Sequence, residues 1–167
     1  MFALIAGAFG VGLWMAGLPV GPQRFRAVPW HKAIGIMIFA LLLLRLAWRW
    51  RHPAPPLPST MPAWERHAAH ASHVLLYVLM LVVPLSGFLM SSALGFSTVV
   101  FGLKLPDLLE RNRELGDTLK VVHYFLNKTL LALVALHFGA ALKHHFIDHD
   151  NVLRRMLPWR LRNPKNS

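Results

Sequence analysis

An all-α fold that spans a membrane as a four-helix bundle is predicted by three observations: long uncharged apolar runs, basic residues gathered between them, and two histidines on one stripe of the last run. The runs reach the roughly 20 residues needed to cross hydrocarbon, longer than the apolar stretch of an ordinary buried helix. At 167 residues, 55% of them hydrophobic, the chain reads as one four-span domain over residues 1–158 with a short cytoplasmic tail over 159–167. Eighteen Lys and Arg against seven Asp and Glu give a net charge of +11. In a soluble protein that excess would suggest nucleic acid. Here the cations flank apolar runs, which excludes a nucleic-acid partner in favour of membrane lipids. The absence of cysteine excludes disulfides, thiolate zinc, iron–sulfur clusters and covalently attached heme.

The first run, 2–20, carries no charge and ends in the turn region between Pro19 and Pro22. It lacks the basic entry and small-residue cleavage pattern of a signal peptide, and is read as a span. The second, 30–48, ends among Arg45, Arg49 and Arg51. The proline-rich stretch 53–62 cannot continue a helix, because proline lacks the amide donor and clashes with the preceding turn. The third run starts near Ala71 and reaches about Met90, with Pro84 as an expected kink, and a mixed-charge loop follows over 103–117. The fourth is 118–142. No internal repeat or β-alternation is visible, and 163–167 is expected to fray.

Lys and Arg in the loops set the orientation. The linker side carries Arg45, Arg49, Arg51 and Arg66, joined by Lys143, Arg154, Arg155, Arg160, Arg162 and Lys165 of the C-terminal segment. The opposite side has Arg24, Arg26, Lys32, Lys104, Arg111, Arg113 and Lys120, offset by Asp107, Glu110, Glu114 and Asp117. The bias puts both termini in the cytoplasm. His31 and His123 then share the outer level, and His137 lies toward the inner face, level with His70 and His73.

His123 and His137 are fourteen residues apart, close to four helical turns, so both imidazoles project from one face about 21 Å apart. Ionisable groups inside a membrane usually mark a functional interior, and two low-spin b-type hemes, each held by imidazoles, fit this stripe. Buried hydrogen-bonding histidines are the competing reading, and His31 alone could be an interfacial residue beside Trp30. What favours heme is that His31 and His123 occupy one level on different helices. His52, His67 and His149 lie in polar segments and are read as solvated. His144 and His145, beside Lys143 and Asp148, suit a helix C-terminus as well as they suit a site.

Ordered motifs along nearly the whole chain resemble the bacterial cytochrome b561 family: W-H-K-A-I-G-I (30–36), M-P-A-W-E-R-H-A-A-H-A-S-H (61–73), P-L-S-G-F-L-M (84–90), F-G-L (101–103), L-K-V-V-H (119–123), A-L-H (135–137) and H-H-F-I-D-H-D-N-V-L-R-R-M-L-P (144–158). The resemblance implies a four-helix bundle of the bacterial inner membrane with two b hemes, exchanging electrons with quinone. It implies His31 and His123 as axial ligands of the outer heme and His137 as one ligand of the inner. Some members oxidise superoxide at the periplasmic face and reduce ubiquinone, which makes superoxide:quinone oxidoreductase the enzymatic activity to test. Others serve as the cytochrome subunit of a partner dehydrogenase or hydrogenase. The family's fourth ligand opens the first span, where this chain has no histidine. It is expected either upstream of an internal Met1, with one heme held by the chain as given, or at His73, with two. Lys120, one turn before His123, with Arg111 and Arg113, could steer an anion to the outer heme by a local positive field; ordinary snorkelling is the alternative. Lys128, five residues past His123, is expected to snorkel outward. A histidine-rich metal transporter using His67, His70, His73, His144 and His145 would need acidic or thiolate partners along the spans, and the spans contain none. A plain membrane anchor leaves the shared level of His31 and His123 unexplained.

Overall fold

Prolines and one capping asparagine set most of the helix ends. The computed structural model describes residues 1–53 and 61–149, which form α1 (Phe2–Gly17), α2 (Pro22–Arg51), α3 (Ala63–Ala93), a hairpin of β1 (Val99–Val100) and β2 (Leu103–Lys104), and α4 (Arg113–Phe146). Helix α1 stops at Gly17 because Leu18 precedes Pro19 and is extended, with φ −82° and ψ 142°. Its 16 residues rise about 24 Å, short of the apolar run over 2–20 and of the roughly 30 Å hydrocarbon core.

The other helices outrun their expected spans. Pro22 takes the first turn of α2, where a missing amide costs nothing, so the helix starts well before residue 30 and carries Pro29 inside it. Helix α3 starts directly after Pro62 and keeps Pro84 within a continuous helix. Helix α4 starts at Arg113 rather than 118. Its cap is Asn112, whose Oδ1 accepts the Leu115 amide at 3.0 Å. Among the described residues, three helices, of 30, 31 and 34 residues, are long and apolar enough to cross a membrane. At 1.5 Å per residue each exceeds the hydrocarbon thickness, so their ends extend into the headgroup layers or the helices tilt.

The loop between α3 and α4 contains a short hairpin that the sequence, with no visible β-alternation, does not mark. Val99 pairs with Lys104 and Val100 with Leu103, and the turn between them has positive φ at Phe101 (51°) and Gly102 (81°). That is the backbone a two-residue hairpin turn requires. Strands of two residues are too short to show alternation in a sequence. Residues 54–60 of the proline-rich linker lie outside the described residues. So do Arg154, Arg155, Arg160, Arg162 and Lys165, the end of the 144–158 motif and the tail over 159–167.

The chain forms two compact units, Met1–Leu131 and Ala132–Ser167. In the first, α2 packs between α1 and α3. The buried positions are few and small or aliphatic, including Ala27, Ile38, Leu42, Leu79, Val83 and Ala93, with buried Ser86, Ser91 and Ser92. Large apolar side chains face outward instead: Leu44 is 67% exposed, Val74 64% and Phe125 62%. Such an inverted pattern is what lipid contact allows, with close helix packing left to small residues. Near the other end of α2, Arg45 Nε and Arg49 Nη1 donate to Tyr77 Oη of α3 at 3.1 and 3.4 Å.

The chain from α3 to α4 is tied down at several points. Ser91 Oγ donates to the Phe96 carbonyl at 2.6 Å, and Ser92 Oγ accepts the Leu109 amide at 3.0 Å. The Asn112 amide donates to the Ala93 carbonyl at 2.9 Å. Lys32 Nζ reaches across from α2 to the carbonyls of Phe96 and Ser97 at 3.2 and 3.3 Å, and Ser97 Oγ donates to Asp107. Gly116 is buried against Leu94, which a Cβ would overlap. Replacing Asn112 by Ala should lower stability by about 1 kcal/mol, while Asn112→Asp should preserve it, since either polar side chain can cap α4. Thermal unfolding in detergent, followed by circular dichroism, checks both.

Candidate functional site

His31 stands at the start of the apolar part of α2, two residues after Pro29, and His123 lies in the first third of α4. The structure brings the two rings together, with centroids 6.4 Å apart and planes at 83°. Two imidazoles on one metal ion, at about 2 Å per metal–nitrogen bond, have centroids separated by roughly 6 to 6.5 Å. Both rings border a cavity of about 460 Å³, counting its open mouth, to which all four helices contribute. Ile5, Phe9, Ile38, Met80 and Leu130 make most of the wall apolar, and Asn127 adds an amide. The apolar lining with a few polar groups is that of a cofactor pocket.

Two glycines admit the imidazoles. A Cβ on Gly12 of α1 would lie 3.1 Å from His31 Cε1, and one on Gly87 of α3 would lie 2.9 Å from His123 Cε1. The Nδ1 edge of His31 is turned to α1, toward the Ala8 backbone, and is buried without a well-formed hydrogen bond. His123 Nδ1 is 2.9 Å from Ser86 Oγ, and Asn127 Nδ2 donates to the His123 carbonyl at 2.7 Å. Two imidazoles, a backbone approach on each side and apolar walls suit a planar, largely apolar group with a central metal. They suit a hydrated cation poorly, since there is no carboxylate among the lining residues.

The remaining sequence-predicted residues are placed as follows. His137 is half-buried on α4 within the second unit, and His73 is half-buried on α3. Lys120 is exposed on α4. Lys128 lies over the Tyr124 ring, its Nζ 5.5 Å from the centroid, which gives the cation a partner one turn back. His52 stacks on Trp48 at 4.0 Å, and His67 and His70 are exposed. In the second unit, Lys143 Nζ and His144 Nδ1 each lie 3.0 Å from Asp148 Oδ2, so this cluster closes α4. Sequence reasoning missed Gly12, Ser86, Gly87 and Asn127. Ser86 and Gly87 sit in the P-L-S-G motif, whose only physical reading had been the proline.

A profile described as prokaryotic cytochrome b561 matches residues 1–159. The chain is 39% identical over 157 residues to "Cytochrome b561 homolog 2" of Escherichia coli (strain K12), covering 92% of this chain and 83% of that protein. It is 35% identical over 134 residues to "Probable superoxide oxidase CybB" of Yersinia pestis, covering 78% and 76%. To "Cytochrome b561 homolog 1" of Escherichia coli (strain K12) it is 34% identical over 130 residues, covering 78% and 74%.

If the cavity takes a prosthetic group beside His31, Gly12→Val should lower the ratio of bound heme to protein, because its branched side chain claims the space of the imidazole. Helix content by circular dichroism should stay unchanged. A heme ratio equal to that of the unmodified protein would show that Gly12 does not shape the site.

Proposed function

The chain belongs to the prokaryotic cytochrome b561 family, an integral-membrane b-type cytochrome of electron transport, and from that premise we propose that it carries electrons between a donor at the periplasmic face of the bacterial inner membrane and the quinone pool. His31 and His123 would hold an outer heme b, and His137 would help to hold a second. The observation that carries this reading is the buried pair of imidazoles, 6.4 Å apart on two helices at an apolar cavity.

Heme b supplies reversible one-electron chemistry, tuned by its axial ligands and by hydrogen bonds to them. The chain's own contribution is to hold two imidazoles at a fixed separation beside an apolar cavity, and to present charge at the surface. Lys120, exposed one turn before His123, together with Arg111 and Arg113, makes that surface attractive to a small anion. Superoxide is the donor we favour, supported by the name of the Yersinia pestis relative. In the net reaction two superoxide anions each lose one electron and leave as O₂, while one quinone gains two electrons and two protons. The distribution of Lys and Arg supports cytoplasmic placement of both termini.

His31→Ala and His123→Ala should each abolish the low-spin bis-imidazole spectrum of one heme, while the apolar helices still insert. His137→Ala should affect a different heme, and His73→Ala tests whether His73 completes that second site. An unchanged low-spin spectrum in both His31→Ala and His123→Ala would reject the assignment. Lys120→Gln should slow heme reduction by superoxide roughly two- to threefold at low salt, the factor expected for one unit charge several ångströms away in water. Raising ionic strength should slow the unmodified protein in the same sense. A rate insensitive to both changes would favour a partner dehydrogenase or hydrogenase as the donor.

A further inference from the structure

Ser86 is buried on α3, and its Oγ makes two polar contacts: 2.7 Å to the carbonyl oxygen of Val83 and 2.9 Å to His123 Nδ1. A serine hydroxyl carries one hydrogen, and a carbonyl can only accept. The shorter contact therefore takes the hydroxyl proton, leaving the Ser86 lone pairs to face His123 Nδ1. That nitrogen must then be the donor. An imidazole protonated at Nδ1 has its lone pair at Nε2, the arrangement of a metal ligand whose other nitrogen donates to the protein.

We propose that Ser86 is a positioning residue that holds His123 as the Nδ1–H tautomer, with Nε2 as its ligating nitrogen, and strengthens it as an electron donor to heme iron. This rests on the reading of His123 as an axial ligand. Gly87 completes the arrangement. A Cβ there would lie 2.9 Å from Cε1 and 3.3 Å from Nδ1 of His123, so the ring rests directly against the α3 backbone while Ser86 holds its Nδ1. A hydroxyl bonded to the carbonyl three residues back is an ordinary way to satisfy a serine within a membrane helix. Ser72 of the same helix does this with Ala69 at 3.0 Å. The contact with His123 is not needed for that purpose. It is the feature that gives Ser86 a role toward the ring.

Removing the hydroxyl takes away one of two acceptors near the ring, the other being the Val83 backbone, and so weakens the donor character of the imidazole, which disfavours the ferric state more than the ferrous. Ser86→Ala should therefore raise the midpoint potential of the heme that is lost in His123→Ala. It should also weaken heme retention roughly tenfold, the lower end of the effect of removing a partner of a ligating histidine. Ser86→Thr, which restores the hydroxyl, should return both toward the unmodified values. A potential unmoved in Ser86→Ala at full heme content would overturn the proposal. A His123→Ala protein that keeps its bis-imidazole spectrum would overturn the ligand reading itself. A third measurement does not depend on the variant folding. ¹⁵N NMR of histidine-labelled, heme-free protein, with His123→Gln to assign the resonance, should show His123 protonated at Nδ1; protonation at Nε2 would overturn the proposal.

Discussion

Hydrocarbon does not solvate an imidazole, and the upper half of this structure is organised around that constraint. A ring nitrogen inside the bundle must find its partner on a neighbouring helix, and helices approach closely enough only where side chains are small. Gly12 brings α1 against His31, and Gly87 brings α3 against His123. The serine beside Gly87 supplies a polar atom where the second ring needs one. The residues that approach the two histidines most closely are thus glycine and serine, while many bulky apolar residues of the same helices, Leu44, Val74 and Phe125 among them, face outward.

The same constraint governs the ends of the helices. Carbonyls and amides near the close of α3 are satisfied by Ser91, Ser92 and Asn112, and α4 is thereby launched from a fixed point. The position of His123 on α4 depends on that starting point, since one residue of slippage would rotate it about 100° around the helix. The short hairpin and the ties around it work as a fitting between two helices as much as a connection.

The helical class, the runs and the two histidines were legible because hydrophobic length and isolated polar residues leave strong local marks. Helix boundaries were less so. Apolar content faded before the helices did, so 63–70 of α3 was left outside the third run and 113–117 of α4 read as loop, although Pro62 and Asn112 marked their starts. The first run erred the other way, since Val20 is apolar but lies beyond the break imposed by Pro19. Gly12, Ser86 and Gly87 were illegible for a different reason. Their contacts are to residues on other helices, and a small residue in an apolar run looks the same whether it faces lipid or an imidazole. His137 was legible only through its spacing from His123, and Lys128 found its partner only once the turn containing Tyr124 was in place.

Lys32 follows His31 in the chain but serves a different structure: its ammonium holds the carbonyls of Phe96 and Ser97 on the segment that leads to the hairpin. Its charge is already committed to peptide dipoles, unlike that of exposed Lys120. A Lys32 variant would therefore be felt first in the segment that leads to the hairpin, which loses its tie to α2. Charge reversal and charge removal there would be expected to do comparable damage, the signature of a lost fastening rather than of a lost field. Adjacent positions 31 and 32 thus serve unrelated purposes, one toward the cavity and one toward the hairpin.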